Sequence, residues 1–70
     1  MSEIEDAILD ILSDRTERDT RHIAAALIGR GISILDVQQV RKHLYKLRAK
    51  AKVERREVWT TGRKWLWRLP

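Results

Sequence analysis

The segment QQVRK, residues 38–42, places two amides and two cations within five positions. The side chains of Gln38 and Gln39 can bond both N6 and N7 of adenine, and those of Arg41 and Lys42 can reach O6 and N7 of guanine. Proteins use these side chains to read base edges in the DNA major groove. The segment therefore predicts base-reading chemistry, provided that one element presents these side chains to solvent.

Cations are concentrated in and just after this segment. Residues 41–56 carry eight lysines and arginines against one acid, Glu54. Residues 1–19 hold seven acids and two arginines, whereas residues 20–70 hold thirteen cations and three acids. This asymmetry predicts one face that attracts a polyanion. If about five cations displace counterions from DNA, log K should fall with log salt at a slope of roughly −4 to −5.

The chain lacks the residue patterns that catalysis, metal binding or cofactor binding would need. The chain has no cysteine, and His22 and His43 have no ligand partners at the spacing of a zinc site. Ser13, Ser33 and the histidines do not form a set of nucleophile, base and orienting group. The sequence GRG is too short for a phosphate-binding loop. We therefore expect no enzyme activity, no metal and no cofactor.

The hydropathy of the chain favours a protein that does not associate with membranes. No stretch approaches the roughly 20 apolar residues of a membrane span, and the opening MSEIEDAILD is acidic where a signal peptide is positively charged. We expect a cytoplasmic protein, associated with the nucleoid if its source is bacterial or archaeal.

One long helix is predicted to present the base-reading segment. Ser33 and Asp36 form an S-x-x-D capping pattern, and the 18 residues of ILDVQQVRKHLYKLRAKA contain no glycine or proline. This predicts helix 3 over about residues 34–50. Its apolar residues form one narrow stripe, which consists of Val37, Val40, Leu44, Leu47 and Ala51. Gln38, Lys42, Tyr45 and Lys46 lie on the opposite face.

Two shorter helices are predicted to support helix 3. A capping box followed by apolar residues at helical spacing predicts helix 1 over about residues 3–13. The polar stretch SDRTERD, residues 13–19, is predicted to be a loop. Asp19 or Thr20 then caps helix 2, over about residues 20–29.

Two extended runs close the chain, KVERREVW and KWLWRLP, and TTGR joins them. The glycine between β-rich runs favours a hairpin over about residues 52–69. Alternation along the second run predicts that Trp65, Trp67 and Leu69 face the core. Trp59 precedes the turn, and the sequence leaves open whether it is exposed or packs across the strands.

The order of these elements resembles the winged helix-turn-helix family over nearly the whole chain. The stretches that carry the resemblance are TRHIAAALIGRGISILDVQQVRKHLYKL and AKVERREVWTTGRKWLWRL. The resemblance implies a single α+β domain, residues 1–70, of three helices followed by a two-stranded β-hairpin wing. It also implies that helix 3 enters the major groove while the hairpin loop grips adjacent backbone.

The expected backbone contacts follow from this docking. Helix 2 begins where amide dipoles favour anions, helix 3 has polar groups beside its base-reading face, and the wing tip is cationic. The residues expected to contact the backbone are Thr20, Arg21, Ser33, Tyr45, Lys46, Thr61, Arg63 and Lys64.

The corner between helix 3 and the hairpin departs from the family pattern. Many winged helices have glycine there, whereas this chain has Ala51 followed by Lys52 and Val53. Alanine predicts either a corner without positive φ or strain of about 1 kcal/mol.

A narrower similarity is to the Z-alpha domains, winged helices that recognise Z-DNA and pack a tyrosine of helix 3 beside a wing tryptophan. Tyr45 in RKHLYKL and Trp67 in KWLWRL stand at the matching positions. However, Arg41 replaces the family's asparagine, and Lys64 and Trp65 replace its wing prolines. Z-DNA is therefore an alternative ligand.

Other kinds of partner remain open from the sequence. The domain could be a protein-interaction module that docks a partner through helix 1 or Trp59, or its tryptophans could stack on single-stranded DNA or RNA. A homodimer formed through helix 1 or the hairpin is also consistent with the sequence. The leading prediction is a double-stranded DNA-binding protein, either a small transcriptional regulator or a viral or plasmid accessory factor.

Overall fold

Three helices and a three-stranded antiparallel sheet make up residues 2–70, the part of the chain that the computed structural model describes. In chain order the elements are α1 (Glu3–Ile11), a 3-10 turn (Leu12–Asp14), β1 (Arg18–Asp19), α2 (Thr20–Gly29), α3 (Val37–Ala49), β2 (Glu54–Trp59) and β3 (Arg63–Arg68). The structure confirms the α+β class, the three helices and the C-terminal hairpin. It is compatible with a small winged-helix-like fold.

The first helix begins as predicted and ends earlier. Ser2 Oγ accepts the N–H of Glu5 at 3.1 Å, which caps α1. At the other end, the predicted boundary at residue 13 is wrong, because the chain tightens after Ile11 into the 3-10 turn. Arg15 ends that turn with a φ of 61° and donates its N–H to the Leu12 carbonyl at 3.0 Å.

β1 corrects the expectation of a loop throughout residues 13–19. Arg18 pairs with Trp67 and Asp19 pairs with Leu66, so β3 lies between β1 and β2. The sheet therefore has three strands rather than the two of the predicted hairpin. A strand of two residues is too short to show an alternating pattern. β1 places the start of α2 beside the hairpin.

The second helix occupies its predicted range, and the third begins later than predicted. Ser33 does not cap α3; the N-cap is Asp36, which accepts the N–H of Gln39 at 2.9 Å. The Gln39 side chain in turn accepts the N–H of Leu35 at 2.7 Å. These reciprocal bonds satisfy donors at the start of a helix, so α3 begins at Val37 rather than at residue 34.

The core lies where the three helices meet the inner face of the hairpin. Its buried side chains come from every helix and include Ile8, Leu12, Ile23, Leu27, Val40, Leu44, Leu47 and Val53. Trp67 is only 1% exposed, which confirms its predicted core position. Leu69 is partly buried against the same cluster, and Trp65 is half-buried. Trp59, by contrast, is 71% exposed.

Of the two conformations considered for the corner after α3, the chain adopts the strained one, with a positive φ at Ala51. Ala51 has a φ of 59° and is exposed, so it does not extend the apolar stripe. Its N–H bonds to the Arg48 carbonyl, and the N–H of Lys52 bonds to the Leu47 carbonyl, each at 2.9 Å. This is a Schellman ending, in which the left-handed residue is usually glycine. Alanine at this position costs about 1–2 kcal/mol of local strain.

A bilayer-spanning helix would have to be both longer and more apolar than any helix found within residues 2–70.

Candidate nucleic-acid interface

A groove of about 310 Å³ lies where the start of α2, α3 and β3 meet. Its lining is mainly cationic and aromatic. The cations are Arg21, Arg41, Arg63 and Lys64, the aromatic residues are Tyr45, Trp65 and Trp67, and the others are Asp19, Thr20 and Val37. Cations beside aromatic rings favour a ligand that has both anionic groups and planar rings. Nucleic acid has both.

The groove assembles half of the twelve residues that the sequence predicts as contacts. Those that line it are Thr20, Arg21, Arg41, Tyr45, Arg63 and Lys64. They come from α2, α3 and β3, so the fold collects one cationic surface from three elements that are distant in the sequence.

Thr20 connects the core to the groove. Trp67 donates its indole N–H to Thr20 Oγ1 at 3.1 Å. Because the Thr20 hydroxyl already accepts this bond, its own hydrogen is directed elsewhere and can be donated to a ligand oxygen. The neighbouring Arg21 is exposed at the first turn of α2, where the helix dipole also favours an anion.

Asp19 is the acid in the groove, and its carboxylate already interacts with neighbouring groups of the protein. It accepts the His22 backbone N–H at 2.8 Å, and its other carboxylate oxygen lies 3.8 Å from Lys64 Nζ. Partial burial acts to raise its pKa, but the bond from the His22 N–H and the nearby charges of His22 and Lys64 hold the pKa of Asp19 below its ordinary value. Asp19 therefore stays ionised and fixes Lys64 at the edge of the groove.

Arg55 packs against the aromatic rings of the groove, and the sequence did not identify it as a site residue. The Arg55 guanidinium lies 4.0 Å from the Trp65 ring centroid, 5.4 Å from that of Tyr45 and 5.7 Å from that of Trp67. Arg55 contacts these rings without lining the groove. Alternation across the hairpin could have indicated this contact, because Arg55 is the direct cross-strand partner of Trp67.

Tyr45 and Trp67 form the pair that the Z-alpha similarity implies. Their ring centroids are 5.9 Å apart and the rings are inclined at 61°. Trp67 is buried and its N–H is bonded to Thr20, whereas Tyr45 is 46% exposed. Of this pair, Tyr45 is thus the residue with surface left to offer a ligand.

The outer face of α3 carries three of the four predicted base-reading side chains. Gln38 and Lys42 are exposed and lie one turn apart, in line with Tyr45. Arg41 is half-buried at the edge nearest the groove, and its Nη1 donates to Gln38 Oε1 at 3.3 Å. Gln38, Arg41 and Lys42 therefore form one polar patch that continues from the groove.

The fourth base-reading candidate, Gln39, is placed differently. It is half-buried, and its side-chain oxygen accepts the Leu35 N–H at the start of α3. The bidentate pairing with adenine that the sequence predicts needs this same oxygen. Gln39 therefore has a structural task that competes with base reading.

The remaining predicted contacts lie outside the groove. Ser33 is exposed in the α2–α3 turn, Thr61 is exposed at the hairpin turn, and Lys46 is exposed on α3 one turn after Lys42. All three are accessible to a ligand large enough to extend beyond the groove.

Most of the N-terminal acids are paired within the fold. Asp10 bonds with Arg30, Asp14 lies 2.9 Å from Arg18, and Glu17 makes two bonds to Arg56 at 2.7 and 2.9 Å. The bonds from Arg56 lower the pKa of Glu17, and Glu17 raises the pKa of Arg56. By contrast, Arg21, Lys42 and Lys46 form no ion pair within residues 2–70. Of these three, Arg21 lines the groove, and Lys42 and Lys46 are exposed on α3.

A polar contact ties α3 to α1. Glu5 is only 5% exposed, and its carboxylate lies 2.9 Å from His43 Nδ1 and 3.7 Å from Lys50 Nζ. The hydrogen bond with His43 lowers the pKa of Glu5; burial acts to raise it, and the charge of Lys50 lowers it further. α1 thus supports α3 through an ionised carboxylate.

Comparison with known proteins does not identify relatives of this chain. No family model, no curated protein and no solved structure matches the chain. Within residues 2–70, no group of three or more His, Cys, Asp or Glu side chains is placed to hold a metal ion.

Proposed function

We propose that this protein is a winged helix that binds duplex DNA, with the outer face of α3 in the major groove and the hairpin beside the backbone. The observation that carries the proposal is the groove, which brings together six of the predicted contact residues next to the polar patch on α3. Four of its ten lining residues are cations, and binding driven by phosphate neutralisation needs such a cluster.

The two parts of the surface have different tasks in this proposal. Gln38, Arg41 and Lys42 read bases, because amide and cationic side chains distinguish adenine and guanine in the major groove. Thr20, Arg21, Arg63 and Lys64 hold phosphates, which fixes the register of α3 but carries no sequence information. In this role the protein would act as a small transcriptional regulator or as a viral or plasmid accessory factor.

The test is selection of bound duplexes from a random pool, followed by anisotropy titrations of the selected site. We expect enrichment of a short site, and a matched pair of variants locates the interface. Arg41→Gln removes a cation from the groove and weakens binding. Arg68→Gln removes an exposed cation that pairs with Glu54 at 2.7 Å on the hairpin, and leaves binding nearly unchanged.

The alternatives give different results in the same assay. A Z-DNA binder would prefer an alternating purine–pyrimidine duplex held in the left-handed form over the same duplex in the right-handed form. A protein-interaction module would show no affinity for any duplex even at low salt, and that result would overturn the proposal.

A further inference from the structure

The groove continues along one face of the hairpin toward its turn. Side chains of directly paired residues in antiparallel strands lie on the same face. The face in question carries the pairs Arg55–Trp67, Glu57–Trp65 and Trp59–Arg63. Trp67, Trp65 and Arg63 line the groove, so Trp59 stands at the outer end of the same surface.

The tryptophans on this face become more exposed toward the turn. Trp67 is 1% exposed, Trp65 is half-buried and Trp59 is 71% exposed. A ring as large as indole contributes to stability mainly when it is covered, so Trp59 adds little to the fold of the isolated chain. Its position at the end of a cationic groove calls for a ligand that covers it.

The surroundings of Trp59 fit a nucleic-acid base better than an apolar protein surface. Arg63 lies across the strand, and the turn that follows contains Thr60 and Thr61. Within residues 2–70, the other large apolar side chains with high exposure are Ile28, Leu35 and Tyr45, which belong to α2, the α2–α3 turn and α3. Trp59 is thus a single aromatic ring among polar residues, whereas protein interfaces use contiguous apolar patches.

The charge on this face also favours a polyanion. Arg63 lies 5.9 Å from the Trp65 ring centroid, and Arg55 covers Trp65 at 4.0 Å. The acid on this face, Glu57, lies 4.0 Å from Arg63 Nη1, so its charge is partly compensated. Cations that alternate with stacking rings characterise sites for unpaired strands, because every base has a face that can stack.

We propose that Trp59, at the outer end of this hairpin face, is a stacking site for an unpaired base at the edge of the bound duplex. This inference rests on the proposed function, because the groove must first hold the duplex backbone. The duplex then delivers the unpaired strand to the hairpin, where Trp59 covers the face of the first base beyond the groove. The favoured ligand is a junction between double-stranded and single-stranded DNA.

The test compares a blunt duplex with the same duplex extended by a short thymidine overhang, in anisotropy titrations at one fixed salt concentration. We expect the wild type to bind the overhang duplex about tenfold more tightly. Trp59→Ala removes this advantage and keeps the affinity for the blunt duplex, whereas Trp59→Phe retains most of the advantage. Ile28→Ala, which shortens another exposed apolar side chain, is the matched control and keeps the full advantage.

Tryptophan emission gives a second readout. Because Trp67 is buried and Trp65 is covered by Arg55, the overhang should quench mainly Trp59, and the quenching should fall in Trp59→Phe. Equal affinity of the wild type for the two DNAs, or an advantage that survives Trp59→Ala, overturns the stacking site. Failure to bind either DNA at low salt overturns the proposed function instead, so the two failures are distinguishable.

Discussion

Individual residues on the cationic surface differ in what they can report about DNA. Gln38 and Lys42 are exposed on α3, whereas Arg63 belongs to the hairpin part of the groove. A base contact distinguishes sequences, but a phosphate contact is the same for every sequence. Single substitutions therefore separate the two tasks.

We predict that Lys42→Ala or Gln38→Ala lowers discrimination by about 1–3 kcal/mol at one base pair of the selected site. Arg63→Ala should weaken binding to all sequences alike and reduce the salt slope by about 1. The measurement is a set of titrations with single-base variants of the site. Base preferences that stay unaltered in both α3 variants would contradict the assignment of α3 as the reading element.

Ala51 offers a residue-scale prediction about stability. Its φ of 59° is strained for alanine and not for glycine. Glycine also costs unfolded-state entropy, so Ala51→Gly should raise the free energy of unfolding by a net amount of about 0.5–1 kcal/mol. The control is Ala49→Gly at the end of α3, which should lower it by about 0.5–1 kcal/mol. Urea denaturation measures both, and a loss of stability in Ala51→Gly would exclude strain at this corner.

At the scale of elements, α1 holds the base-reading helix in place through Glu5. The lowered pKa of Glu5 means that its contribution to stability is present above the ordinary value of 4.5 and is lost as the pH falls through the lower value in the folded state. Glu5→Gln removes the charge that faces His43 and Lys50. Lys50 then lacks its charged partner on α1.

We therefore predict that Glu5→Gln lowers the free energy of unfolding at neutral pH by about 1–2 kcal/mol. It should also flatten the dependence of stability on pH below 4.5, the ordinary value for this carboxyl. Denaturation curves at several pH values test this, with Glu3→Gln on the exposed side of α1 as the control. If the stability of Glu5→Gln falls below pH 4.5 as steeply as that of the wild type, other carboxylates determine the acid sensitivity.

The contact between hairpin and α3 depends on Arg55. We predict that Arg55→Met, which keeps an unbranched apolar stem but loses the guanidinium, costs about 1–2 kcal/mol of stability, whereas Arg55→Lys costs less. Arg55 does not line the groove, so the base preference of the folded variant should be unchanged. Thermal unfolding and the duplex titrations measure the two effects. An altered base preference would place Arg55 on the DNA instead.

Elements with long periodic patterns could be predicted from the sequence. Elements that are very short, or whose ends have two competing signals, could not. The alternation around Trp67 correctly predicted its burial, and the cap at Asp19 or Thr20 correctly predicted where α2 begins. β1 has two residues, and its pairing is specified by β3, which is 47 positions or more away in the sequence. For α3, Ser33 and Asp36 are both capable caps, and the reciprocal bond of Gln39 decides for Asp36.

The candidate site could be predicted in part for the same reason. Residue type pointed to Arg41 and Lys42, and element order placed Thr20 and Lys64 near α3. Sequence alone could not show that the Gln39 oxygen is engaged in capping, because this depends on the exact placement of its side chain. The contact of Arg55 with the rings could have been inferred only from the strand register, which pairs Arg55 with Trp67.

At the scale of the whole molecule, ion pairs neutralise most of the N-terminal acids and leave several cations near the groove and on α3 without an ion-pair partner in the described part of the chain. Five of the seven acids in residues 1–19 are paired with basic side chains, while Arg21, Lys42 and Lys46 remain unpaired within residues 2–70. If about five cations neutralise phosphates, log K for duplex should fall with log salt at a slope of roughly −4 to −5. Titrations between low and physiological salt measure this slope. A slope near zero would mean that binding does not use the cationic surface.

The most direct test of the proposed interface is backbone amide chemical-shift mapping with a short duplex. We predict that the largest changes occur at Thr20, Arg41, Tyr45 and Lys64 and along the outer face of α3, while the amides of α1 hardly move. If the largest changes occur on α1, or if no amide shifts at low salt, the groove and the outer face of α3 are not the DNA-binding surface.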